Sequence, residues 1–154
     1  KVFLPKATES LIPPKVSEEP VKEGNETILV AEDEPSLRQI ASGILTILGY
    51  KVLLASDGED ALRVFRENST EIDLILLDIV MPKLNGREAY REMQKINPRI
   101  PVIFITGYSL DGIQASFIAE EGFDAIQKPC TLNALGRKIR EVLDRTAIKI
   151  KKGE

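Results

Sequence analysis

The chain has 154 residues, enough for one domain with its own core. Hydrophobic residues make up 43% and charged residues 29%, the balance of an ordinary globular protein, and a net charge of −3 gives no argument for nucleic-acid binding. The absence of histidine excludes imidazole acid–base chemistry and imidazole metal ligands, and the single cysteine, Cys130, excludes an internal disulfide.

Residues 1–26 differ from the rest. Pro5, Pro13, Pro14 and Pro20 stand among Lys, Glu and Ser, a composition that reads as a linker. Only Lys1–Pro5 looks strand-like. Early prolines and charges argue against a signal peptide. No apolar run approaches the roughly 20 residues that span a bilayer. A start at Lys1 reads as part of something longer.

From Thr27 onward, short apolar runs alternate with amphipathic segments. Thr27–Ala31 is a buried-strand pattern. Pro35 opens a helix whose Leu37, Ile40, Ala41, Ile44, Leu45 and Leu48 follow the spacing of one buried face, and Gly49 ends it. Lys51–Ala55 is a second strand. Ser56 or Asp57 caps a helix over about 59–68, with Ala61, Leu62 and Phe65 inward. Leu74–Leu77 is a third strand, Gly86–Ile96 a helix and Pro101–Thr106 a fourth strand. A shorter helix over 113–121 leads to a fifth strand, Ala125–Gln127. The last helix starts near Thr131 and buries Leu132, Leu135, Ile139, Val142 and Leu143. Residues 147–154, with Lys149, Lys151 and Lys152, read as a frayed basic tail, and Cys130 as a packed, unreactive thiol.

Five β-α units in strict alternation, with strands apolar on both faces, predict a doubly wound parallel α/β sheet covered on both sides. Its crossovers should be right-handed. Such a sheet places its site outside the carboxyl ends of the strands. Polar residues gather there: Glu32-Asp33-Glu34 after the first strand, Asp78 after the third, Thr106-Gly107 after the fourth and Lys128-Pro129 after the fifth. Alone, each segment also reads as a solvated turn, a strand end or a surface lysine. Together they suggest one crevice. Converging carboxylates need a cation, and an oxygen-only set suits Mg²⁺. A carboxylate can also act as a nucleophile and become an aspartyl phosphate. Lys128 offers a point charge, and Thr106 a hydroxyl, to phosphoryl oxygens.

The segments ILVAEDEP, LILLDIVMPKLNG, PVIFITGYS and IQKP, in this order and spacing, resemble the receiver domain of response regulators over about residues 27–145. The resemblance implies a flavodoxin-like (βα)5 fold with strand order 2-1-3-4-5, a domain over 27–146, and a phosphorelay function. It implies that Asp78 is the phosphoacceptor. It implies that Glu32, Asp33, Asp78 and the backbone carbonyl of Val80 hold Mg²⁺, that Thr106 and Lys128 engage the phosphoryl group, and that Lys128–Pro129 is cis. With no histidine here, the phosphodonor lies elsewhere. The implied partner is a histidine kinase phosphodonor domain in the same or a paired chain. A histidine phosphotransfer protein and a second copy of the chain are further candidates. Lys1–Pro5 resembles the last strand of a kinase ATP-binding domain, and the chain stops after its last helix without an effector domain. Both fit the C-terminal receiver of a cytoplasmic hybrid sensor histidine kinase.

The pattern departs from the family at Ala125, three residues before the lysine, where an aromatic ring is usual. Output is therefore expected to rest more on the loop after Thr106, including Tyr108. Val80 and Tyr108 offer no helper for an attacking water, so the phosphoryl lifetime is not expected to be short. Three other readings differ at particular residues. An aspartate-nucleophile phosphatase needs a second aspartate where Val80 stands. A flavin mononucleotide carrier needs a phosphate loop where Glu32-Asp33-Glu34 stands. A degenerate receiver used only for docking would lack part of the acidic, Thr and Lys set.

Overall fold

The computed structural model describes residues 23–107, 112–128 and 131–151. Lys1–Pro5, Tyr108 with its loop, Pro129, Cys130 and Lys152 lie outside these residues. The elements alternate without exception: β1 (Thr27–Ala31), α1 (Pro35–Ile47), β2 (Lys51–Ala55), α2 (Gly58–Asn68), β3 (Leu74–Asp78), α3 (Gly86–Ile96), β4 (Val102–Thr106), α4 (Gly112–Glu121), β5 (Asp124–Gln127) and α5 (Leu132–Lys151). All neighbouring strands are parallel, in the order β2-β1-β3-β4-β5, which is the expected flavodoxin-like arrangement. No helix among the described residues is long and apolar enough to cross a membrane.

The apolar strands explain the layers. β1, β3 and β4 are buried at every position, because both faces of the sheet are covered. One core joins Leu29, Ile75, Leu77 and Phe104 to Phe65 of α2 and Met93 of α3. The other joins Ile28, Val30, Leu76 and Ile103 to Leu45 of α1 and to Leu135 and Ile139 of α5. Each fully buried side chain of this size contributes about 1.5–3 kcal/mol.

Two expectations need correction. Ile40 is 57% exposed instead of buried. Leu45 of α1 and its C-cap Leu48 form the buried line, and the step of five residues from Ile40 to Leu45 turns Ile40 about 140° around the helix. Ile47, at 68% exposure, lies outward as well. Residues 147–151 of the basic stretch are helical, since α5 continues to Lys151.

The chain is already docked before β1 starts, three residues earlier than the linker was expected to end. The Gly24 amide donates to Leu48 O at 3.0 Å. Gly49, at φ +94°, makes that approach possible, because a Cβ there would lie 2.5 Å from Gly24 O. Arg140 of α5 then spans Glu26 (2.9 and 3.1 Å), the Tyr50 hydroxyl (3.3 Å) and Asp144 (2.9 Å). The Arg140 hydrogen bond is the main cause that holds the Glu26 carboxyl below its ordinary range, against the opposing effect of burial. A depressed carboxylate adds stability above its unfolded pKa and loses it as pH falls through the folded value. Arg140→Ala should therefore cost about 1–2 kcal/mol near neutral pH, with allowance for partial exposure. Urea midpoints of the two proteins should converge as pH falls below about 4. A gap that stays constant with pH would show that Glu26 is not the partner that matters.

Candidate functional site

β1 and β3 are adjacent, so their last residues meet at the carboxyl edge of the sheet. The register aligns Ala31 with Leu77, and Glu32 and Asp78 each follow by one residue. Both carboxylates are buried, at 2% and 4% exposure, whereas Asp33 is exposed. Lys128, just past β5, reaches across β4 to them. Its ammonium lies 2.9 Å from Asp78 Oδ2 and 3.0 Å from Glu32 Oε1. Burial alone would lower the Lys128 pKa, but the hydrogen bonds to Asp78 and Glu32 outweigh it and leave a net rise. The lysine is thus held charged.

Backbone contacts fix the rest. Val80 N–H donates to Asp78 Oδ1 at 3.1 Å, and Glu34 N–H to Glu32 Oε2 at 3.1 Å. The Arg38 guanidinium donates to Glu32 O at 2.6 Å. Glu34, exposed, is the N-cap of α1 and accepts from Ser36 N–H. Thr106 is 6% exposed at the end of β4, and its carbonyl accepts the Lys128 N–H at 2.8 Å. The structure thus gathers Glu32, Asp33, Asp78, Val80, Thr106 and Lys128 at one end of the sheet.

Glu32, Asp33 and Asp78 each offer a carboxylate oxygen, and these oxygens all lie within 4.8 Å of one another. Three carboxylates against one lysine leave a local charge of −2, which one divalent cation would balance. With oxygen donors only, the set fits a hard ion such as Mg²⁺. The Lys128 ammonium neutralises part of this repulsion from the side.

Sequence reasoning missed what shapes the β3–α3 loop. A Cβ on Gly58, the first residue of α2, would lie 1.7 Å from Leu84 O. A Cβ on Gly86, the first residue of α3, would lie 2.2 Å from Asp78 O. Lys83 sits in the left-handed region at φ 70° and lies 3.6 Å from Asp57, the N-cap of α2. The only sequence signal was a glycine at the start of each helix, where neither helix needs one.

The expected departure on β5 has a structural counterpart. Ala125 pairs in register with Phe104. Phe123, just before β5, packs its ring edge-to-face against Phe104 (5.3 Å) and Tyr90 (5.4 Å). It lies two residues before Ala125, so it does not fill that position.

Among known families, the response regulator receiver domain matches residues 28–140. "Sensor kinase CckA" of Brucella abortus is 32% identical over an alignment that covers 94% of this chain and 16% of the relative. "Probable transcriptional regulator ycf27" of Pyropia yezoensis is 41% identical over 78% of this chain and 48% of the relative. The chain therefore spans about half or less of these curated relatives. A crystal structure of a response regulator receiver domain protein from Clostridium thermocellum superposes with a TM-score of 0.72 at 34% identity, covering 80% of this chain and 98% of that one.

Proposed function

This chain belongs to the response regulator receiver domain family, and we propose that Asp78 accepts a phosphoryl group from the histidine of a kinase. The observation that carries this reading is the convergence of buried Asp78 and Glu32 on the Lys128 ammonium, with Asp33 alongside. In the transfer, an Asp78 carboxylate oxygen forms a bond to phosphorus as the donor's phosphorus–nitrogen bond breaks, and the electron pair returns to the imidazole. Lys128 keeps one contact to the carboxylate edge and turns another toward a phosphoryl oxygen. The Thr106 hydroxyl donates to a second phosphoryl oxygen. Val80 N–H holds the acceptor in place through its bond to Asp78 Oδ1. Glu32, Asp33, Asp78 and the Val80 carbonyl would hold Mg²⁺, which supplies charge neutralisation between donor and acceptor.

Mass spectrometry after incubation with acetyl phosphate tests the reading. One phosphoryl group should be gained with Mg²⁺ and none after chelation. Equal labelling without the metal would remove the role given to the acidic cluster.

The donor needs a surface beside Asp78. α1 begins two residues after Asp33 and presents Ile40 at 57% exposure, while Val80, two residues past Asp78, is 62% exposed. We infer that these two exposed apolar side chains belong to the face on which the donor docks. Ile40→Asp should slow transfer from the cognate kinase by about tenfold or more. Labelling by acetyl phosphate, which needs no docking, should stay within about twofold. Equal losses with both donors would mean the site itself was damaged. The alignment with "Sensor kinase CckA" extends beyond the matched residues 28–140, which supports a hybrid sensor kinase as the parent and a kinase histidine as the source.

A further inference from the structure

The opposite end of the sheet carries a second concavity. It lies where β4 and β5 begin, one strand length (about 15 Å) from the ends that hold Asp78 and Lys128. Its volume is about 520 Å³, within the range of about 300–1,000 Å³ typical of small-ligand sites. The turn before β4, the turn before β5 and the last turns of α5 border it.

Its floor is apolar. The rings of Tyr90 and Phe123 meet edge-to-face there, beside Ile100 and Val142. The Tyr90 hydroxyl is already engaged, donating to Ile100 O at 2.8 Å, so what Tyr90 adds to the lining is its ring. Burial pushes the Tyr90 hydroxyl pKa up to about 12, so the tyrosine brings no charge.

The rim is cationic. Arg99, Arg145 and Lys149 line it together with one carboxylate, Asp124. Asp124 is already paired with Arg145 and lies 3.5 Å from Lys138. Arg99 and Lys149 have no ion-pair partner among the described residues. Two uncompensated cations above an aromatic floor select a ligand that is apolar at one end and anionic at the other.

We propose that this groove binds a small aromatic carboxylate, its ring body on Tyr90 and Phe123 and its carboxylate between Arg99 and Lys149. The border of two turns and a helix end favours a compact ligand over an extended peptide, which would need a free strand edge or a long helical groove.

The test uses 2-naphthoate as the probe and its neutral analogue 2-naphthalenemethanol as the control, each titrated into ¹⁵N-labelled protein. Naphthoate should shift amides of residues 99–102, 122–124 and 142–149, with the alcohol about tenfold weaker. The Arg99→Ala/Lys149→Ala double variant should weaken naphthoate by about tenfold and leave the alcohol unchanged. Both substituted side chains are exposed, so the fold should persist, and acetyl phosphate labelling should be unaffected. Equal affinity for acid and alcohol, shifts clustered elsewhere, or self-association that covers the groove would each overturn the proposal.

Discussion

Asp78→Asn is expected to fold as the parent does and to lose phosphoryl uptake from acetyl phosphate and Mg²⁺ by at least about 10³-fold. The fold should survive because asparagine keeps the shape and one oxygen. That oxygen turns toward Lys128, whose charge makes the stronger hydrogen bond. The amide nitrogen then faces Val80 N–H, and one hydrogen bond is lost, at about 1 kcal/mol. Removing one carboxylate from beside Glu32 and Asp33 relieves repulsion and offsets part of that loss. Stability should thus change by about 1 kcal/mol or less, too little to account for a 10³-fold effect. Uptake fails because the amide oxygen is a poor nucleophile and no neighbour replaces it: Glu32 is buried and ion-paired, and Asp33 is exposed. Mass spectrometry alongside urea denaturation separates the two effects. Label retained at wild-type level, or moved to Asp33, would overturn the assignment of Asp78.

Both the sheet and the end of it that gathers the candidate site residues were legible in the sequence, for a physical reason. Strands apolar on both faces, such as Leu74–Leu77, are stable only inside a covered parallel sheet, and such a sheet collects its strand-end residues at one edge. The error at Ile40 shows where periodicity fails. A helix rich in Ile and Leu has more apolar positions than its buried stripe can use, so spacing alone does not say which line faces the sheet. The continuation of α5 past residue 146 has a similar cause. Lysines near a helix C-terminus suit its dipole, so a basic run was a poor sign of fraying. The contacts of Gly58 and Gly86 could not be read at all: the first depends on backbone 26 residues away that the fold alone brings near, and the second on how the loop after Asp78 closes on itself.

Those contacts support the second large effect, expected for Gly58→Ala. A Cβ at this position would lie 1.7 Å from Leu84 O, 2.6 Å from its carbonyl carbon and 2.8 Å from its Cβ. Nearly everything it meets is backbone, so no rotamer change relieves the clash. One of the two segments must move by more than an ångström or so. α2 is the less able to yield: Asp57 caps it by accepting Asp60 N–H at 2.8 Å, and Ala61, Leu62 and Phe65 anchor it in the core. The strain falls on the loop 79–85, whose Gly86 N–H to Ile79 O and Leu84 N–H to Pro82 O bonds (both 2.8 Å) are then stretched. Alanine gains up to about 1 kcal/mol in helix propensity, and the clash costs about 3 kcal/mol, leaving a net loss of about 2. Gly43 is the control. It is exposed on α1 with nothing within 4 Å of an added Cβ, so Gly43→Ala should stabilise by about 0.5–1 kcal/mol. The functional consequence is specific to Gly58. Val80 lies in the displaced loop, so its carbonyl moves away from the carboxylates with which it is proposed to hold Mg²⁺. Calorimetric Mg²⁺ affinity should fall by about tenfold in Gly58→Ala and stay unchanged in Gly43→Ala. A Gly58→Ala protein with parental stability and parental Mg²⁺ affinity would mean that the loop adapts freely, and that the glycine has no part in placing the site.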